Sequence, residues 1–314
     1  MDILTRDKVC YDGSGGSTKI VGIAEVWKRL VDENGMPDYF SGVSASSILS
    51  LPFAMGLIDE VMTIMATFGS RTIFDQLPMY NNGIPTPRAL SRLATGKNHL
   101  GRMRNLEKTL KKLIPKAEYE AYRLDINAPV VVVMATRYFD MEECYFDLKN
   151  DDISYDEAIR CIIASSSIAS AVPPIEIRKG TGVFFYDGGY RDHSIGLYMM
   201  ETYPIGEMAS VFSRPFKNRI PVKGADAFNI VIPKNKQQPK NVFKAFGWGL
   251  NSHIGEVSLN DETPQVDFAK ANNIKLKQFF LPDVLESLYD TDRGNLNKLA
   301  SLSKELKPKI VVNY

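Results

Sequence analysis

Apolar residues recur along the chain in two rhythms, and the switches between them predict the order of its elements. Lys8-Val9-Cys10-Tyr11 reads as a short strand that runs into a glycine-rich turn, Asp12 to Lys19. From Val21 to about Val31 the period lengthens, and Ile23, Val26, Trp27 and Leu30 share one helix face. A turn over Asp32 to Pro37 leads to a second short strand, Tyr39-Phe40, and a second sharp turn over Ser41 to Ser46. Helical spacing then extends to Phe68 through Leu57, Ile58, Val61, Met62, Ile64 and Met65, with Pro52 expected to kink or restart it. Residues 69–104 are rich in turn formers (Pro78, Asn81, Asn82, Gly83, Pro85, Pro87), which suits a lid or an insertion. Leu106, Leu110 and Leu113 mark an amphipathic helix. Its other face bears Lys108, Lys111, Lys112 and Lys116, either as a solvated surface or as one attracted to anionic lipid heads.

The second half of the pattern is strand-rich. Ala128 to Thr136 holds an unbroken β-branched run, as a central parallel strand buried on both faces requires. Cys144 to Leu148 reads as an edge strand, and Ser154-Tyr155-Asp156-Glu157 as a capping box for a helix through Ile163. Gly182 to Tyr186 is a short strand that delivers Asp187-Gly188-Gly189. Strands alternating with helices predict an α/β fold, a three-layer α/β/α sandwich around a mainly parallel central sheet. Residues 1–200 hold every candidate feature. Residues 201–314 read as helical and strand pieces that complete the same domain and carry no chemistry of their own.

Composition narrows the function classes. With 38 basic and 37 acidic residues among 314, the net charge is +1, so no basic field argues for nucleic acid. Cys10, Cys144 and Cys161 are an odd, scattered set, which fits reduced thiols better than disulfides or a metal site. The start of the chain carries charges where a signal peptide needs apolar residues, and no apolar run is long enough to span a membrane. A cytoplasmic protein is expected, with the lysine-rich helix face as the place for any peripheral contact with a membrane.

Three stretches carry candidate chemistry. A serine at a sharp strand-to-helix turn is held in a strained backbone with its hydroxyl pushed out of the sheet, which suits Ser44 in Gly42-Val43-Ser44-Ala45-Ser46 as a nucleophile. The same letters also fit a helix N-terminus rich in capping serines. Ser14 to Lys19 follows a strand and opens a helix, so its backbone N–H groups face an anion or simply make a tight connection. Asp187 ends an apolar strand, where ligands meet open α/β sheets, or forms a plain Asp-Gly-Gly turn. The three histidines, His99, His193 and His253, sit in no recognisable catalytic context.

Taken in order, Ser14-Gly15-Gly16-Ser17-Thr18-Lys19, Gly42-Val43-Ser44-Ala45-Ser46 and Asp187-Gly188-Gly189 resemble the patatin-like phospholipase family. Met134-Ala135-Thr136, and Ala164 to Ile168 with Val172-Pro173-Pro174, resemble the family's intervening segments; the likeness covers roughly residues 6–200. The resemblance implies Ser44 as nucleophile and Asp187 as base of a Ser-Asp dyad. It implies an oxyanion hole from the Gly15, Gly16 and Ser17 N–H groups, with Lys19 as the loop's basic residue. Gly42, Ser46, Gly188 and Gly189 shape the elbow and the turn. The implied reaction is hydrolysis of phospholipid or other lipid acyl esters with no metal or cofactor. Ser17, Ile20 and Ser46 each stand where the family has glycine. Those departures keep open a catalytically impaired relative that binds a lipid or a partner. A histidine-dependent esterase using His193 or His253 is the third reading.

Overall fold

The computed structural model describes residues 7–80, 84–150, 152–215, 261–285 and 290–313. Among these, nine strands form one mixed sheet. They are β1 (Lys8–Gly13), β2 (Tyr39–Val43), β3 (Val130–Arg137), β4 (Glu143–Asp147), β5 (Ile175–Glu176), β6 (Phe184–Asp187), β7 (Ile205–Phe212), β8 (Lys275–Phe280) and β9 (Ile310–Val312). The order is β5-β6-β3-β2-β1-β7-β8-β9, with β4 pairing β3 off this path. The central run β3-β2-β1-β7-β8 is parallel, and antiparallel pairings flank it on both sides.

Alternation along the strands feeds two separate cores. Tyr11, Phe40, Val131, Val133 and Ala135 join the larger one with helices Ile20–Asn34, Ser47–Ala54, Tyr155–Ser165 and Arg293–Lys304. Cys10, Val43, Val132, Met134 and Met208 join the other, with helix Gly196–Thr202 and the helical residues 261–271. Helices on both faces of a mostly parallel sheet make three layers, as the pattern predicts. In the larger core Trp27, Phe40 and Phe53 meet at 5.2–5.9 Å. Each such burial is worth about 1.5–3 kcal/mol over exposure.

Two local expectations, on Pro52 and on the neighbours of β3, need correction. The helix after Ser44 does not break at Pro52. It ends at Ala54, and the chain turns through Gly56 at φ +76° before Ile58–Ala66, because a left-handed residue is what glycine accepts most readily. The strand β3 is not flanked by parallel neighbours on both sides. It is parallel to β2 alone, since the hairpin return β4 and the short β6 pair antiparallel with it. Residues 69–104 contain the short helices Ser70–Ile73 and Pro87–Ala94. They are tied to the segment after helix Tyr155–Ser165 by the Leu100 and Gly101 N–H groups, which donate to the Ser170 and Ala171 carbonyls.

Register decides what shares one sheet edge. Gly13 of β1 pairs with Gly42, and Val43 with Met134, so Ser14 and Ser44 emerge together from parallel strand ends. Ala135 pairs with Asp187 at the end of β6. Because β6 is antiparallel and only four residues long, its final residue still lies near the C-terminal edge of β3. Asp187 therefore flanks β3 on the side away from β2, level with Ser44.

Candidate active site

Ser44 occupies the left-handed region, with φ +57°. A non-glycine residue there is strained, and neighbouring hydroxyls hold it in place. The Ser44 N–H donates to Ser165 Oγ at 2.9 Å. Its carbonyl accepts from Ser47 Oγ at 2.5 Å and from Ser166 Oγ at 2.9 Å. Both polar groups of the strained peptide segment are thereby satisfied, and the side chain is turned off the strand axis toward β6.

The strand and the outgoing helix close tightly beneath Ser44. A Cβ on Gly42 would lie 2.8 Å from the backbone carbon of Ser46 and the nitrogen of Ser47, so glycine is required by contact. Ser46, one of the departures from glycine, is accommodated by hydrogen bonds and by space on the neighbouring strand. Its Oγ accepts from the Val43 N–H at 2.9 Å and donates a short hydrogen bond to the Gly13 carbonyl. Room for its Cβ comes from Gly13, where a side-chain carbon would sit 2.6 Å away. Ile20, the third departure, is buried in the larger core.

Ser44 Oγ donates to Asp187 Oδ2 at 2.6 Å. The other carboxylate oxygen accepts from the Gly189 N–H at 2.8 Å, and the Asp187 carbonyl accepts from Thr136 Oγ1 at 3.0 Å. Gly188 is compelled by the Met134 carbonyl, 2.6 Å from where its Cβ would stand. Asp187 is only 4% exposed. Burial pushes its pKa up to about 7, against the lowering effect of the hydrogen bonds from Ser44 and Gly189. Two groups of complementary function, a hydroxyl and a carboxylate titrating near neutrality, are therefore in direct contact.

The glycine loop packs against this pair. A Cβ on Gly15 would lie 3.1 Å from Ser44 Cβ and 3.0 Å from His193 Nδ1. The loop amides are not equivalent, which corrects the expectation of three free donors. The Gly15 N–H already donates to the His193 carbonyl at 3.0 Å. Among the described residues, the Gly16 and Ser17 N–H groups donate to no protein acceptor. Ser17 adopts φ +48°, a left-handed position that glycine would occupy without strain. Lys19 is largely buried, and its Nζ lies 3.9 Å from Asp283 Oδ1.

Neither described histidine, His99 or His193, makes a hydrogen bond to Ser44 Oγ. His193 is buried behind the loop, with Nε2 3.3 Å from Ser213 Oγ and Nδ1 without a partner among the described residues. Desolvation, with Arg214 and Lys19 nearby, lowers its pKa to about 3, so the ring is neutral. His99 pairs with Arg92 and Asn98 in the 69–104 segment. His253 lies outside the described residues.

Beneath the loop is a polar network that no local motif announces. Asp12 is fully buried and accepts from Ser41 Oγ at 2.7 Å and Ser194 Oγ at 2.5 Å; desolvation raises its pKa to about 6. Asp261 accepts from the His193 and Ser194 N–H groups at 2.8 and 3.1 Å. Burial raises the pKa values of Asp261 and its neighbour Asp192. A polar residue at an inward strand position, such as Asp12 between Tyr11 and Gly13, is the one sequence signal that could have drawn attention to it.

The family model described as patatin-like phospholipase matches residues 14–195, a span that includes the loop, the elbow and the Asp-Gly-Gly turn. No curated protein matches the chain. Among solved structures, VipD from Legionella pneumophila is similar with a TM-score of 0.43 and 14% identity, covering 68% of this chain and 51% of VipD. The chain thus spans about half the length of that protein. Among the described residues, no helix is long and apolar enough to cross a membrane.

Proposed function

Because the chain belongs to the patatin-like phospholipase family, we propose that it hydrolyses lipid acyl esters through a Ser44-Asp187 dyad. Phospholipids and lysophospholipids are the substrate class. The observation that carries the reading is the 2.6 Å hydrogen bond from Ser44 Oγ to Asp187 Oδ2. In the proposed reaction Ser44 Oγ attacks the ester carbonyl and its proton passes to Asp187. The carbonyl oxygen becomes an oxyanion, met by the Gly16 and Ser17 N–H groups. Asp187 returns the proton to the departing alcohol, leaving an acyl group on Ser44. Water, deprotonated by Asp187, then attacks the acyl-enzyme; the Ser44 Oγ–acyl bond breaks, the fatty acid leaves, and Asp187 returns the proton to Ser44 Oγ. No histidine relay is needed, since burial brings the carboxylate pKa close to that of an effective neutral-pH base.

A second reading keeps the fold as a lipid- or partner-binding relative of low activity. It draws on the Gly15 N–H engaged by His193 and on the Cβ that Ser17 carries at φ +48°. Fatty-acid release from mixed phospholipid vesicles and from a short-chain ester separates the two. Turnover by the wild type, abolished in Ser44→Ala and Asp187→Asn, is the expected result. A folded wild type inert on every ester would favour the binding relative.

A further inference from the structure

The donor set of the proposed oxyanion hole depends on how one peptide, Gly15–Gly16, is turned. The C=O of Gly15 and the N–H of Gly16 belong to the same planar trans unit and point in opposite directions, so whatever holds the carbonyl aims the amide. Ser213 holds it. This residue follows β7, outside the matched span 14–195, and its hydroxyl donates a short hydrogen bond to the Gly15 carbonyl. Its own N–H donates to Ser14 Oγ at 2.8 Å, and Ser14 Oγ donates to the same carbonyl at 3.1 Å. The contact is close enough to dictate Gly16, since a Cβ there would lie 2.3 Å from Ser213 Cβ.

His193 completes the arrangement from the other side. Its carbonyl takes the Gly15 N–H, and its ring reaches Ser213 through Nε2. A hydroxyl has one hydrogen, and that of Ser213 is committed to the Gly15 carbonyl. His193 Nε2 is therefore the donor, and Nδ1, buried and without a partner among the described residues, is the nitrogen left without a proton. A chain of donors runs from the imidazole to the serine to the loop carbonyl.

We infer that Ser213 and His193 are positioning residues for the oxyanion hole: they turn the Gly15–Gly16 peptide so that the Gly16 N–H faces the reacting carbonyl. The inference rests on the hydrolase reading above and extends the functional unit beyond the family-matched span. Ser213→Ala should lower kcat by about 10- to 100-fold, below the roughly 10²- to 10³-fold for removing an oxyanion donor outright because the Gly16 N–H is only misaimed, and leave KM near the wild-type value. His193→Gln, whose amide Nε2 can still donate to Ser213, should retain most of the activity that His193→Leu loses. The ring nitrogens of His193, read by ¹⁵N NMR on the intact wild-type protein, should show the Nε2–H tautomer with no titration between about pH 5 and 8. That reading keeps the test decisive even where a variant folds poorly. An Nδ1–H tautomer, a Ser213→Ala enzyme of unchanged kcat, or a loss confined to KM would each overturn the inference while leaving the dyad intact. A wild type without Ser44-dependent turnover would instead overturn the hydrolase reading and this inference with it.

Discussion

The two site serines that adopt left-handed backbone conformations, one in the elbow and one in the glycine loop, are held in different ways. Ser44, at φ +57°, has its N–H and carbonyl engaged by the hydroxyls of Ser165, Ser47 and Ser166. Ser17, at φ +48°, is half-buried, and among the described residues its side chain makes no hydrogen bond. The elbow is thus over-determined by side chains from two helices. The loop relies on glycines, on one carbonyl of His193 and on Ser213. Strain is stable where hydrogen bonds repay it, and the difference assigns the tolerance for change to the loop and the intolerance to the elbow.

Substitutions test this contrast at decreasing scale. Ser44→Ala and Asp187→Asn should each reduce turnover by about 10⁴-fold or more, measured as fatty-acid release, because nucleophile and base act as a unit. Gly42→Ala should destabilise the fold by about 2–3 kcal/mol in a denaturant titration, since its Cβ meets backbone that cannot swing aside. Turnover should fall about tenfold per pH unit below about 7, because the base must be ionised and burial holds the Asp187 pKa there. The same group sets a stability slope of opposite sense. Its folded pKa is raised from 3.8 to about 7, so the native state keeps a proton that the unfolded chain has released across that interval. Its contribution is full at acid pH and declines as the pH rises to about 7, and Asp187→Asn should flatten the decline in a series of melting curves.

Smaller effects distinguish the two serines directly. Ser165→Ala leaves the Ser44 N–H buried without a partner and should cost about 1–2 kcal/mol, read from the unfolding midpoint. Ser17→Gly should be neutral or stabilising by up to about 1 kcal/mol, with turnover equal to or above wild type. Equal losses in the two variants would erase the contrast.

The parts of this arrangement legible in sequence are those set by short-range sterics. Gly42 beside Ser44, and Gly188 after Asp187, are small because neighbouring backbone nearly touches them, and such patterns sit within five consecutive residues. Periodicity likewise foretold the layered α/β fold, since strand and helix rhythms are local. The supports of the site were not legible. Ser165 lies 121 residues from Ser44, Ser194 lies 182 from Asp12, and Ser213 lies 198 from Gly15. A lone serine carries no local signature of the distant group it will bond, and only the sheet order brings them together. The fit of Ser46 was hidden for the same reason, because the space it uses is vacated by Gly13 on another strand.

The central claim is that Ser44 is an activated nucleophile with Asp187 as its base, and it can be tested without knowing the lipid. Intact-mass measurement after treatment with a long-chain alkyl fluorophosphonate reads nucleophilicity directly. We predict a single adduct on Ser44, absent in Ser44→Ala and formed much more slowly in Asp187→Asn. Failure of the folded wild type to react, or an adduct that persists in Ser44→Ala, would contradict it.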